Sequence, residues 1–548
     1  MSQFSQQNSS FTAISPDSGK LGARYLAETG FRQGVLQTAW LCAAHTWPFI
    51  LPQPGQSNQQ RLPESHQAIG ARGIVNQVGK ALSAMYPADT PFFQYIPNEA
   101  HPDFRRLGKE AQQFAEKELF LDTLLVSAMM EGSYLDDAAG RHKRPVSFRG
   151  RMANSFAQLF ITGDTLERMT PDFRVQVYRR DQYVTRRDSC GDVLYHGIIE
   201  VLDPMDELTD KQRETCGLKD SDLKDKPTPD RMKSMVTFVD WQPWTKCWVV
   251  SQECNGVVFN ESQENNTPFC SVPMHLVAGE HYGRGLVEVS WLPDLRSSNE
   301  LMLRLLDWAA VASNLRPCID PSSEVSDKDL QMPSGTPIRT ARVLGGLVQD
   351  IGWLGPTNVA NFQVVEQVAE RVYASLSKSM AIESEVTPQK ERTTATQVQR
   401  IAAELDGITG GNWGSITEES QVPKVRYFTQ LARDKGLLPK AKDRAVQIEI
   451  VSGLAAFARQ AKLSNILSSV DVLSRLGPEG VARIDIGVLA DVMTRYQNIY
   501  VPGLVKDDAQ MAKEAQAQVS RSIQEHAGQQ AATTTGNIIE NALAGQTA

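Results

Sequence analysis

ERTTATQVQRIAAELDGITGGNWGSITEESQVPKVRYFTQLARDKG, residues 391–436, decides how the rest of the chain is read. Thr394, Ala395 and Thr396 open a helical pattern in which Val398, Ile401, Leu405 and Ile408 recur every three or four residues. Gly410 and Gly411 interrupt it. Ile416, Val422, Val425, Phe428 and Leu431 then resume the period until Gly436 ends it. Each glycine inside a helix costs about 1 kcal/mol relative to alanine. The pair therefore marks either a turn between two helices or a bend in one long helix. Periodicity leaves both open.

Working outward, two more apolar stripes of helical period precede this stretch. Residues 286–314 carry Leu292, Leu295, Met302, Leu306 and Ala309, and residues 358–380 carry Phe362, Val365, Val368, Val372 and Leu376. Between them, residues 317–356 are short, punctuated by Gly and Pro, and β-like. Farther upstream, helices are expected over 21–48 and 68–86, the second stopped by Pro87. Residues 110–163 read as largely helical, interrupted by Arg141, His142, Lys143, Arg144, Arg149 and Arg151, which are expected on a surface loop. Strand-rich runs fill 173–201 and return in 235–259, separated by a charged, Pro-containing excursion over 208–233. Residues 110–274 thus read as an α+β region, and 441–493 as further helices. The Ser- and Gln-rich start, 1–20, and the Ala-, Gln- and Thr-rich end from Lys506 are expected as loosely held arms, with 538–543 as a short docking segment.

Composition excludes several classes. With 41% hydrophobic and 22% charged residues over 548 positions, the chain is an ordinary globular one with room for several cores. Its formal charge is 56 − 64 = −8. That argues against tight static binding of phosphate backbones, which needs clustered Lys and Arg. No run of 18 apolar residues occurs, so neither a transmembrane helix nor a secretion signal is expected. Seven scattered cysteines without a CxxC pair suggest free thiols in a reducing setting. The nucleotide-cradling GxxxxGK[ST] loop is missing, as are HExxH and GxSxG, and the eight histidines lack ligand spacing. No catalytic residue, metal site or cofactor is therefore assigned.

The motif ERTTAT (391–396), AELD (403–406) and Gly410-Gly411, followed by Glu418 and Pro423, resembles the portal, or head-to-tail connector, protein of short-tailed bacteriophages. Three more stretches agree in order and spacing: GARGIVNQVGKALSAMYP (70–87), GEHYGRGLVEVSWLPDLRSSNEL (279–301) and IVSGLAAFARQ (450–460). The resemblance implies an α+β, mainly helical portal fold. Its parts would be a flexible arm (1–20), a wing (21–283), a stem helix (284–314), a clip (315–356), a second stem helix (357–381), a channel loop (382–393), a long kinked helix (394–436), a helical crown (437–505) and a flexible tail (506–548). It further implies a non-enzymatic ring, dodecameric in the family, at one vertex of the virion capsid and assembled in the host cytoplasm. Double-stranded DNA would pass through it, and the terminase large subunit, then a tail adaptor, would dock on it, with major capsid and scaffolding proteins as neighbours. Lys390 and Arg392, among Lys378, Glu383, Glu385 and Glu391, would face DNA from the channel loop. Two rival readings remain at this point: a nucleic-acid-processing enzyme with a dispersed active site, and a capsid scaffold component without a channel.

Overall fold

Alternation of side chains along a strand gives a sheet two faces, and both faces of the largest sheet here are covered. In the computed structural model, strands β4 (Tyr183–Arg187), β5 (Val193–Leu202), β6 (Lys233–Gln242), β7 (Cys247–Cys254) and β8 (Val257–Glu264) form an antiparallel meander. Tyr183, Ile198, Val239 and Val250 point to one face. They pack there against Leu166, Tyr178 and Phe269 from a three-stranded sheet of β2 (Asp164–Met169), β3 (Val175–Tyr178) and β9 (Phe269–Pro273). Val184, Ile199, Val236 and Phe238, each offset by one residue or an odd number of residues from that set, point the other way. They receive Leu21 and Tyr25 of helix α1 (Lys20–His45).

Helix α1 is fixed to this sheet by charge as well as by burial. The Glu253 carboxylate of β7 accepts from the backbone N–H groups of Leu21 (2.7 Å) and Gly22 (2.9 Å), so a side chain 231 residues away caps the first turn. Two parallel hydrogen bonds join Arg24 to Asp240 at 2.9 and 2.7 Å.

The main core lies on the other side of the three-stranded sheet. It joins α1, α2 (Ile69–Met85), α3 (Lys109–Met130), α4 (Phe148–Thr162) and α7 (Val422–Asp434) with a β pair of β1 (Phe93–Pro97) and β14 (Val446–Ile450). Between α4 and α7 come α5 (Leu292–Ser313) and α6 (Val359–Ser379), an antiparallel-connected pair bridged by two small ladders, β10 (Arg316–Ile319) with β13 (Ile351–Leu354) and β11 (Val343–Leu344) with β12 (Leu347–Val348). Contacts divide the chain into two units, Met1–Leu454 and Ala455–Ala548. The second holds most of α8 (Leu454–Arg475), which exposes Leu467, Val472 and Leu473.

The described residues are 19–52, 65–88, 90–98, 101–106, 109–132, 147–219, 223, 231–313, 316–319, 343–344, 347–348, 351–354, 359–380, 382, 413–439, 445–451 and 454–475, with 487, 489–490 and 492–493. Several sequence expectations fall outside them: almost all of the 1–20 arm, the Arg141–Arg144 cluster, the Gly410-Gly411 bend, the tail from Lys506 and the 538–543 segment. Others are corrected. Arg149 and Arg151 belong to α4 rather than to a loop. Part of the charged excursion over 208–233 is helical, as the short helix Asp210–Thr215, which a Thr209–Gln212 capping box starts. Strand β14 interrupts the helices expected over 441–493. The six described cysteines, Cys42, Cys190, Cys216, Cys247, Cys254 and Cys270, form no disulfide.

Candidate assembly hairpin and its anchoring core

The root of the α5–α6 hairpin is tightly held. Leu292, Leu295, Leu376 and Met380 are buried in the main core. The Met380 carbonyl accepts from Gln77 Nε2 at 2.7 Å and Asn76 Nδ2 at 3.3 Å, both on α2. Asn299 Oδ1 accepts from Ser65 Oγ and the His66 N–H. Gly73 of the GARG motif lets the Met380 side chain pack close to α2, since a Cβ there would stand 2.2 Å from the Met380 sulfur and force that side chain to shift. Beyond the root the two helices meet mainly each other: Trp308 stacks on Phe362 with ring centroids 4.2 Å apart. Yet Leu306 is 51% exposed, Val364 61%, Val368 42% and Tyr373 42%. Exposed apolar side chains on a rooted hairpin make it a candidate interaction surface rather than part of the core.

The GEHYGRG motif packs backbone on backbone just before α5. Gly163, with φ +86°, ends α4 in the left-handed conformation and presses its backbone on the 283–285 segment. A Cβ on Gly283 would lie 2.4 Å from the Gly163 carbonyl, and one on Gly285 2.8 Å from the Ile161 carbonyl. Backbone meets backbone, so no larger residue fits.

Both long elements around the hairpin begin with the same irregularity. A π-turn over Val287–Trp291 precedes α5, with the Leu292 N–H bonded to the Val287 carbonyl, and Pro293 follows. A second π-turn over Thr417–Gln421 precedes α7, with the Val422 N–H bonded to the Thr417 carbonyl, and Pro423 follows. Proline inside a helix lacks an N–H and collides with the carbonyl four residues earlier. The wider turn makes room without ending the helix. Helix continues from Trp413 through Asp434.

The second π-turn carries a buried polar knot. Lys424 and Glu167 of β2 form an ion pair in which both side chains are almost completely buried. Glu167 also accepts from Ser155 Oγ (2.5 Å), Ser420 Oγ (3.4 Å) and the Cys270 thiol (3.3 Å). Gln421 Nε2 donates to the Met85 carbonyl at 2.8 Å. Burial acts to lower the Lys424 pKa, but Glu167 outweighs it and the ammonium is held charged. Beside it, burial pushes the Glu419 carboxyl up to about 7, with Arg187 opposing and Asp164 adding to the rise. His196 on β5, hydrogen-bonded to Thr185, is lowered to about 3 by burial and by Arg187.

Sequence reasoning missed Glu167 and Lys424. Their only signal was that Ser420, Lys424 and Phe428 stand four residues apart on one helical face, which puts a lysine among core positions. Lys390 and Arg392 lie outside the described residues. The segment that carries them is bracketed by two firmly held points, Met380 on one side and the 417–434 knot on the other.

This hairpin, rooted in an α+β body and bridged by a small β module, suits a subunit built to assemble, and comparison with known proteins names the class. A family model described as bacteriophage head to tail connecting protein matches residues 224–499, half of the chain. The chain belongs to that family. Among its relatives are the portal protein of Enterobacteria phage T3, 23% identical over 516 residues (91% of this chain, 90% of the relative), and that of Escherichia phage T7, 24% identical over 447 residues (80% and 78%). The portal protein of Enterobacteria phage SP6 is 23% identical over 511 residues, covering 90% of this chain and 92% of the relative.

Proposed function

We propose that this chain is the portal of a bacteriophage capsid, a structural subunit that closes into a ring and forms the channel for genome packaging and ejection. The observation that carries the reading, beyond family membership, is the α5–α6 hairpin. Its root is locked to α2 while Leu306, Val364, Val368 and Tyr373 stay exposed, so a neighbouring copy is their natural cover. Head-to-tail contact of this kind closes into a ring when the rotation between copies divides a full turn. In this reading 284–314 and 357–381 are the stem, 315–356 the clip, 21–283 the wing, 394–436 the long kinked helix and 437–505 the crown.

A dodecamer at one capsid vertex, assembled in the host cytoplasm among major capsid and scaffolding proteins, follows by family analogy. The clip would meet the terminase large subunit during packaging and a tail adaptor afterwards, while Lys390 and Arg392 face the passing double-stranded DNA. The role is structural, with no catalytic step assigned to the chain. Negative-stain micrographs of the purified protein test this directly. Rings with an axial hole are expected; a population of monomers across concentration and salt would overturn the assignment.

A further inference from the structure

Two of the scattered cysteines meet in space. Cys216 follows directly on the short helix Asp210–Thr215, and Cys254 ends β7. Each is 1% exposed, and both lie in one small apolar cluster with Leu202, Leu208 and Met235, walled by half-buried Leu218 and Phe259. Cys216 is fixed from both sides. Arg213 Nη1 donates to the Leu208 carbonyl (2.6 Å), which holds the short helix, and Asn255 Nδ2 donates to the Cys216 carbonyl (3.0 Å). Asn255 and Gly256, both at positive φ, make the tight turn into β8 that brings this amide around. On the sheet side, Cys254 pairs with Met235 of β6 and Val257 of β8. Thiol therefore stands against thiol: the Cys216 and Cys254 side chains hydrogen-bond each other.

The other described cysteines have different surroundings. Cys247 meets Thr245 Oγ1 (2.9 Å), the Cys270 thiol donates to Glu167 (3.3 Å), Cys42 is buried in the main core and Cys190 is exposed. Two thiols in contact have an internal disulfide open to them. Burial pushes the Cys216 thiol up, and the bond with Cys254 opposes that rise, which makes Cys216 the attacking sulfur. The cover over the pair is one helix of six residues and its flank, which can open locally without global unfolding. With oxidised glutathione the reaction balances. The Cys216 thiolate attacks one glutathione sulfur, forms a mixed disulfide and releases one glutathione thiolate. The Cys254 thiolate then attacks the Cys216 sulfur of that mixed disulfide and releases the second. Two protein thiols are oxidised, one glutathione disulfide is reduced to two thiols, and the two protons pass to the departing thiolates.

We infer that Cys216 and Cys254 are a redox-responsive pair, reduced as seen here and closed into a disulfide by a low-molecular-weight disulfide such as oxidised glutathione, pinning the helix Asp210–Thr215 to the end of β7. A portal, as proposed above, would pass from a reducing cytoplasm to the outside medium, the change that closes such a bond; the bond itself does not depend on that reading. The test equilibrates the folded full-length protein in glutathione buffers of rising oxidised share, then blocks free thiols by alkylation. Trypsin with a glutamate-specific protease releases Thr215–Lys219 and Cys254–Glu261, each holding one cysteine. Mass spectrometry is expected to find these two peptides joined, lighter than their sum by two hydrogens, with both alkylations lost together. The oxidised protein should also melt about 3 °C or more above the same sample treated with dithiothreitol. Cys254→Ser should abolish both the linked peptide and the shift. Free alkylation of both cysteines throughout, separate glutathione adducts on each, or linkage of either to a different cysteine would overturn the inference.

Discussion

Lys424 shows what a single buried charge does for this fold. Its ammonium is inaccessible to solvent, so it needs Glu167, and Glu167 in turn gathers Ser155, Ser420 and Cys270 from three different elements. Removing one partner of such a pair strands the other, which costs about 3–5 kcal/mol, whereas removing both is far milder. Lys424→Met is therefore expected to destabilise the chain by roughly 3–5 kcal/mol, and Lys424→Met with Glu167→Gln by clearly less, as chemical unfolding would measure. Glu419, five residues before it, makes a pH-dependent prediction. Its folded pKa, about 7, lies above the ordinary 4.5. The neutral form is therefore the favoured one: its stabilising contribution is complete below 4.5 and is lost as pH rises through 7. Glu419→Gln, permanently neutral, should match the wild-type melting midpoint near about pH 5 and exceed it near about pH 8. Equal midpoints at both would show that the carboxyl is already solvated.

At the scale of elements, the long helices were legible because their apolar residues repeat at the helical period. The stripe Leu292, Leu295, Met302 and Leu306 lies in α5 as read, and Pro87 stands just beyond the end of α2. What could not be read is instructive. Strands β1, β2, β9 and β14 are short, and their partners lie far along the chain: Phe93 pairs with Ile450 and Asp164 with Pro273. No local pattern records such a pairing. The π-turns were hidden for the opposite reason. Pro293 and Pro423 read as helix breakers, and only tertiary packing of Trp291, Leu295, Val425 and Phe428 makes a widened turn preferable to an end. The β10–β13 module gives this scale its prediction. It joins two antiparallel-connected helices that already stack through Trp308 and Phe362, so the hairpin does not depend on it for contact. Deleting 322–354 and rejoining the chain should leave a soluble, folded protein that fails to capture terminase or tail adaptor in pull-down assays. Normal adaptor capture by the deletion would place the docking surface elsewhere.

At the scale of the whole molecule, assembly comes first and the channel second. If Leu306 and Val364 are covered by a neighbour, then Leu306→Lys with Val364→Lys buries charge in the contact and should leave monomers in analytical ultracentrifugation, with the subunit's own melting midpoint little changed. Intact rings from that variant would assign the contact to another surface. The expected channel loop is where the sequence was least informative, because Lys390 and Arg392 have no periodic pattern around them and Val386 is the one large aliphatic residue between Glu383 and Thr396. Their case rests on their place in the chain, between the fixed Met380 and the helical run that ends in the Lys424 knot. Repeated around a ring, two cations per subunit would form a positive collar in a protein whose net charge is −8. Each screened contact with a hydrated phosphate is weak, so the collar would slow DNA without stopping it. Lys390→Ala with Arg392→Ala is thus expected to leave rings intact but to let packaged DNA slip back, more so as salt rises, because the remaining phosphate contacts are salt-sensitive. The measurement is genome length retained in particles assembled with the variant ring, at low and at high salt. Full retention at both, with rings confirmed by microscopy, would mean that the grip on DNA is exerted by other residues.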